Sequence, residues 1–208
     1  MKLKKFLIPI FIAVLFTSSI DIGFTQRKKY EFEFGTVEYE MTGSQTGKQI
    51  LYFVDYGRKE AIYRDATIEG IKTKIKEANI EDGYITYFVD LIARRGYKFE
   101  NPIHRELKKH RGHLWSDEQY RESMGWKRAG TEYVSQKECE IWETRDPAAH
   151  MVDWVWKGIV LRNETDIAGE KMSLKAIKID IQTKPDMKYF VPPQNVNVDS
   201  VDASKIFK

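Results

Sequence analysis

The sequence predicts a mainly β protein: a curved antiparallel sheet with a short helical lid. Three observations point there. Residues 151–181 combine dense aromatics with clear period-two alternation. That alternation slips by one residue on the return arm, as a β-bulge would cause. The middle of the chain, residues 101–126, loses the period altogether and carries helix signals instead.

The stretch 151–181 reads as one long hairpin. Its first arm carries Val152, Trp154 and Trp156 on one face and continues past Gly158 through Ile159-Val160-Leu161. A turn falls at Ile167-Ala168-Gly169-Glu170. On the return arm Met172, Leu174 and Ala176 alternate with Lys171, Ser173 and Lys175, after which Ile177, Ile179 and Ile181 become the apolar set. A bulge near Ala176 restores the facing and bends the strand; a central strand buried on both faces is the alternative.

At the N-terminus, Met1-Lys2-Leu3-Lys4-Lys5 is a basic start and residues 6–16 are an apolar run containing Pro9. The pattern is that of a signal peptide, residues 1–25, with cleavage after Ser19 or Thr25. The run is short for a membrane span. The remainder, residues 26–208, is expected to be one domain, soluble and exported to the periplasm or beyond. The formal charge of +3 owes much to the leader, and the remainder is close to neutral, which argues against a nucleic-acid partner. Cys139 is the only cysteine, so no internal disulfide is available and no lipid-bearing cysteine lies near the cleavage region. Alternating with charges, it reads as a buried small hydrophobe.

Further strands are expected along the chain. Tyr30, Phe32 and Phe34 alternate with glutamates, and after Gly35 the phase moves to Val37, Tyr39 and Met41, suggesting a second bulge. Residues 42–47 read as a loop, and strands are expected at 49–55, 61–63, 71–75 and 84–89, with a turn at Glu81-Asp82-Gly83. Ser116-Asp117-Glu118-Gln119 resembles a capping box and Gly125 a stop, giving a short helix over about 117–124. A weaker helix covers 103–110, and both would lie across the sheet as the lid. Strands resume at 130–134 and 139–143. Residues 197–208 hold few apolar side chains and are expected to fray.

Reactive chemistry finds little support. Residues 43–48 look like a phosphate loop, but the spacing is one residue short and a strand follows where a helix is required. His104, His110 and His113 with Glu106 are candidates for metal, yet Arg105, Lys108, Lys109 and Arg111 surround them and no ligand spacing is recognisable. That basic run reads as a solvated face or as a contact for lipid headgroups or an acidic partner. No catalytic residue, metal site or cofactor is assigned. Val152, Trp154, Trp156, Met172 and Leu174 are the candidate cleft residues, with Tyr39, Tyr52 and Tyr87 as weaker additions; core filling is the competing role for the tryptophans.

Residues 130–191 resemble the periplasmic LolA/LolB-like superfamily, including its small secreted members. The text that carries the resemblance is GTEYVSQKECEIWE, WVWKGIVLRNET, EKMSLKAIKIDI and YFVPP, with GTVEYEMTGSQTGKQILYFVDYGRKEA earlier in the chain. The resemblance implies an unclosed antiparallel half-barrel with a helical lid over an apolar cavity, binding lipid or lipoprotein acyl chains. Two departures bear on lipoprotein sorting: a strand begins almost at once, leaving little room for an N-terminal lid helix, and there is no cysteine for an anchor. Three functions are therefore carried forward: a carrier or sensor of a lipid-like ligand, an envelope interaction module with a filled core, and a metal-dependent enzyme.

Overall fold

The computed structural model describes residues 29–82, 85–100, 121–122, 125–146 and 149–202. The signal-peptide assignment, the expected helix over 103–110 and the His104–His113 set lie outside them, as do most of the residues of the second helix.

Among the described residues, twelve strands form one sheet. They are β1 Gly35–Gly43, β2 Gln45–Val54, β3 Lys59–Ile68, β4 Thr73–Asp82, β5 Ile85–Asp90 and β6 Arg95–Glu100. After the middle segment come β7 Lys127–Val134, β8 Lys137–Asp146, β9 Ala149–Trp156, β10 Ile159–Ile167, β11 Glu170–Asp180 and β12 Asn197–Ser200. The order is β12-β6-β5-β4-β3-β2-β1-β11-β10-β9-β8-β7, open at both ends. Two meanders, β1–β6 and β7–β11, are thus joined edge to edge by β1 and β11. All pairs are antiparallel except β12 on β6.

The curvature has a sequence origin. The β1–β2, β2–β3, β3–β4, β4–β5 and β5–β6 ladders run without a register shift. Shifts occur on the other half. Opposite β1, Glu38 pairs with Lys178 and Tyr39 with Ala176, so Ile177 is the extra residue. In β10, Val160 and Arg162 pair with consecutive residues of β9, leaving Leu161 extra. In β7 the same break leaves Ala129 extra. Bulges bend and twist the strand that carries them. The slip expected near Ala176 is therefore present, one residue later. Ile177 is 54% exposed, while Ile179 and Ile181 pack on the core. Deleting Ile177 would leave a perfectly alternating, unbulged strand. Facing would survive and the bend would not. We expect a loss of about 1–3 kcal/mol, the range for misfitted cores, and altered tryptophan fluorescence. Denaturant unfolding checks it, and a stability equal to that of the parent would show that the bulge does not set the curvature.

Other expectations change. The long hairpin is a three-stranded meander, because Lys157-Gly158 (φ 51° and 84°) and Ala168-Gly169 (φ 52° and 89°) both form tight turns. Gly35 makes no bulge. It begins β1, whose ladder to β2 is unbroken, and a Cβ there would sit 2.7 Å from the Phe53 ring. Residues 29–34 are bends, not strand. Ile71 lies in a turn, 68% exposed, and β4 starts only at Thr73. Residues 197–200, expected to fray, extend the sheet; Asn197 N–H donates to Arg94 O at 3.0 Å and Val201 N–H to Lys98 O at 3.0 Å.

The N-terminal bends tie two turns together. Lys29 and Tyr30 N–H both donate to Tyr56 O (3.0 and 3.2 Å), and Glu31 N–H donates to Lys157 O (3.2 Å). Tyr30 is buried against Phe53, ring centroids 4.2 Å apart, and Lys29 makes a buried 2.7 Å ion pair with Glu60. Phe32 packs on Trp156 at 5.2 Å. The segment therefore straps the β2–β3 turn to the β9–β10 turn.

The main core joins Val37, Tyr39, Met41, Leu51 and Phe53 to Cys139, Trp154, Ile159, Leu161 and Leu174. A second cluster holds Val54, Ala61, Ala78, Ile80 and Val89, covered by the single helical turn Met187–Phe190. A third holds Trp142, Val155 and Val160 with Trp126. No helix among the described residues is long and apolar enough to cross a membrane.

Candidate functional site

The sequence-derived cleft residues separate by register. Trp154 pairs with Arg162, and Arg162 with Lys175; Val152 pairs with Glu164, and Glu164 with Ser173. Directly paired residues share a face, so Val152 and Trp154 stand with Arg162, Glu164, Ser173 and Lys175. Leu174 pairs with Asn163 and Met172 with Thr165, on the opposite face. Both sets still contact one continuous cluster, to which the bulge residue Leu161 also belongs. Trp154 and Leu174 are buried, whereas Val152, Trp156 and Met172 are half-buried. Tyr39 lies in the same cluster; its hydroxyl donates to Val160 O at 3.0 Å, and burial pushes its phenol well above the ordinary range. Tyr52 and Tyr87 do not join it. They border the second cluster, where Tyr52 stacks on Tyr189 at 4.0 Å.

The face that carries Trp154 opens into a cleft of about 460 Å³. Glu132, Tyr133, Val134 and Ser135 line one side, Arg162, Glu164, Ser173 and Lys175 the other. Trp154 is held from two directions: its indole N–H donates to Glu132 at 2.7 Å, and the Arg162 guanidinium lies 4.3 Å from its ring. Arg162 in turn donates to Glu164, through Nε at 3.1 Å and through Nη2. A cation over an indole face gains about 0.5–2 kcal/mol and fixes both planes. Sequence reading missed this cleft because its members come from β7, β10 and β11 and meet only through pairing and curvature.

On the other face, Asp153 anchors a buried polar chain. Asn163 Nδ2 donates to Asp153 Oδ1 at 2.7 Å, and Thr165 Oγ1 donates to Asn163 Oδ1 at 2.8 Å. Arg121 Nη1 lies 3.4 Å from Asp153 Oδ2, with its guanidinium 5.7 Å from the Trp126 ring and 5.6 Å from that of Trp142. Burial raises the Asp153 carboxyl above its ordinary value, against the pull of Arg121. Gly125, at φ 83°, closes this helix end: Gly125 N–H donates to Glu122 O and Trp126 N–H to Arg121 O, both at 2.9 Å. The expected stop at Gly125 is thus in place. Sequence reading did not single out Asp153, although an aspartate between Val152 and Trp154 in an apolar strand is a usable signal.

Cys139 is fully buried, and burial raises its thiol above the ordinary value, which leaves little thiolate at neutral pH. Among the described residues no group of three His, Cys, Asp or Glu side chains is placed to hold a metal ion.

No family model and no curated protein matches the chain. Solved structures do. An uncharacterized conserved protein from Thermus thermophilus matches at TM-score 0.53 and 8% identity, over 85% of this chain and 95% of that one. PNGF-II matches at TM-score 0.52 and 12% identity over 84% of this chain, which spans only 32% of the PNGF-II chain. A lipoprotein and a putative outer membrane lipoprotein-sorting protein domain are also among the similar structures. The former is the Mycobacterium tuberculosis lipoprotein LppX, at TM-score 0.37 and 12% identity over 75% of this chain and 91% of that one. The likeness of fold rests on the first two.

Proposed function

We propose that the protein is an extracytoplasmic, non-catalytic carrier or sensor that binds a lipid-like ligand or lipoprotein acyl chain. The observation that carries this reading is a sheet left open at both edges, whose continuous apolar cluster is fringed by half-buried Val152, Trp156 and Met172 around buried Trp154, Leu174 and Tyr39. The sequence resemblance to LolA/LolB-like proteins supports it. Each methylene of an acyl chain removed from water contributes about 0.8 kcal/mol, so a modest opening in this cluster suffices. Tyr52 and Tyr87 have no part in it. The leader at residues 1–25 would deliver the chain across the membrane, and contact with a membrane surface would be transient.

Native mass spectrometry of protein purified from its own envelope tests the reading. The expected result is a mass excess that disappears on delipidation and returns on incubation with fatty acid or lipopeptide. Equal masses before and after, with no uptake, would sink it. The second reading, an envelope protein–protein interaction module, is favoured by one observation: Trp154, Leu174 and Tyr39 are all buried in one core cluster. A partner recovered by cross-linking from protein that takes up no lipid would establish it instead.

A further inference from the structure

We propose that the cleft between β7, β10 and β11 seats a phosphate-ester headgroup of the lipid-like ligand, with Lys175 as its charge partner. This rests on the acyl-binding reading above and names the chemistry of the ligand's polar end.

Each carboxylate is engaged through one oxygen: Glu132 Oε2 accepts from the Trp154 indole, and Glu164 Oε1 accepts from Arg162, whose charge it balances. Lys175 lines the cleft, is exposed, and makes no hydrogen bond or ion pair among the described residues. The hydroxyls of Ser135 and Ser173 line it too and have no partner there either. Donors on offer are the Lys175 ammonium and the hydroxyls of Tyr133, Ser135 and Ser173, from four positions around a concave space. Donors set around a concave space suit the tetrahedral oxygens of a phosphate, and a charged acceptor makes each bond stronger than a neutral one.

The rim is unusual as well. The β7–β8 turn is Ser135-Gln136, at φ 49° and 63°. The β9–β10 and β10–β11 turns place glycine second, the composition that such a turn favours. Here Gln136 takes that second place, at a cost of order 1–2 kcal/mol, and Ser135, first in its turn as Lys157 and Ala168 are in theirs, lines the cleft. Strain of this kind concentrates at ligand-binding positions. The size also fits: about 460 Å³ lies within the usual range for small-ligand sites and holds a headgroup beside, not over, the apolar cluster. The Trp154–Arg162 stack forms the wall between the two, so the headgroup would sit where the acyl chain enters.

The full chain is titrated with lysophosphatidic acid, with the monoacylglycerol of equal chain length, and with glycerol 3-phosphate. Affinity is read by calorimetry, and the Trp154 indole N–H by NMR, assigned through Trp154→Phe. Lysophosphatidic acid is expected to bind about tenfold tighter than the monoacylglycerol, an advantage lost in Lys175→Gln and kept in Lys175→Arg. Glycerol 3-phosphate should shift the Trp154 signal weakly. Lys175 is exposed, so both variants should melt with the parent. Equal affinity for the two lipids, unchanged in Lys175→Gln, overturns the headgroup seat and leaves acyl binding standing. Response to glycerol 3-phosphate with no lipid uptake keeps the phosphate site and overturns the carrier. Silence toward all three overturns both.

Discussion

Gly158→Ala is expected to destabilise the protein by about 3–5 kcal/mol. The residue sits at φ 84°, and a Cβ there would lie 2.1 Å from the Lys29 carbonyl oxygen and 3.1 Å from Tyr30 Cα. Both are backbone atoms, so no flexible side chain can swing away. Relief requires the N-terminal strap to lift. Lifting it exposes Tyr30, whose burial is worth about 1.5–3 kcal/mol, and pulls Lys29 from the buried Glu60 carboxylate. Gly169→Ala is the control. Its φ is 89°, but nothing lies within 4 Å of the added carbon, so only the left-handed penalty of about 1–2 kcal/mol applies. Urea unfolding of the pair measures the difference, and amide exchange at Lys29 and Tyr30 should quicken in the first variant alone. Equal losses in the two would show that the strap contributes nothing.

The second large effect is at Asp153. Asp153→Ala leaves Arg121 without this carboxylate and Asn163 Nδ2 without its acceptor, in a site where Asp153 is 5% and Asn163 1% exposed. Breaking one side of such a buried pair costs about 3–5 kcal/mol. Asp153→Asn separates charge from shape. The folded carboxyl titrates above its unfolded value of 3.8, so between the two the native state holds a proton that the unfolded state has released. Stability contributed by this residue is therefore highest at low pH and falls as pH rises from about 3.8 through the folded value. Asp153→Asn should remove that downward slope, which unfolding at a series of pH values would reveal. A wild-type curve and a variant curve that stay parallel through the acid range would place the titration elsewhere.

What the sequence carried, and what it did not, follows from how each feature is encoded. The bulge at Ile177 was legible because a period-two pattern with lysines on one face changes phase there. The bulge at Leu161 was not: Ile159-Val160-Leu161 is apolar at every position, so a slip leaves no mark. The Lys157-Gly158 turn was hidden by continuous hydrophobicity on both sides of it. β12 escaped notice because an edge strand needs little apolar pattern, and β6 because only Gly96 and Phe99 of its residues are buried. Tyr52 and Tyr87 alternate correctly with their neighbours, but alternation does not say which of the two faces belongs to which cluster. Only the ladder through Ala61 and Ile80 assigns them to the second. The cleft is encoded in three strands that neighbour one another only after β7 has curled beside β10 and β11.

The junction of β1 with β11 has a consequence for how the chain acquires its structure. Each meander is made of neighbours in sequence and can form by local zipping, whereas Val37 must find Ile179 across most of the chain. Closing so long a loop is slow, and pairings of this kind limit folding rates. Until it closes, β1 presents Val37, Tyr39 and Met41 on an open edge, and β11 presents Leu174 and Ile179 on another. An N-terminal meander that leaves a ribosome or a translocation channel first would wait in that state for its partner. Such a half-sheet is the species most exposed to self-association, and the moment of joining is where a chaperone would act on this protein.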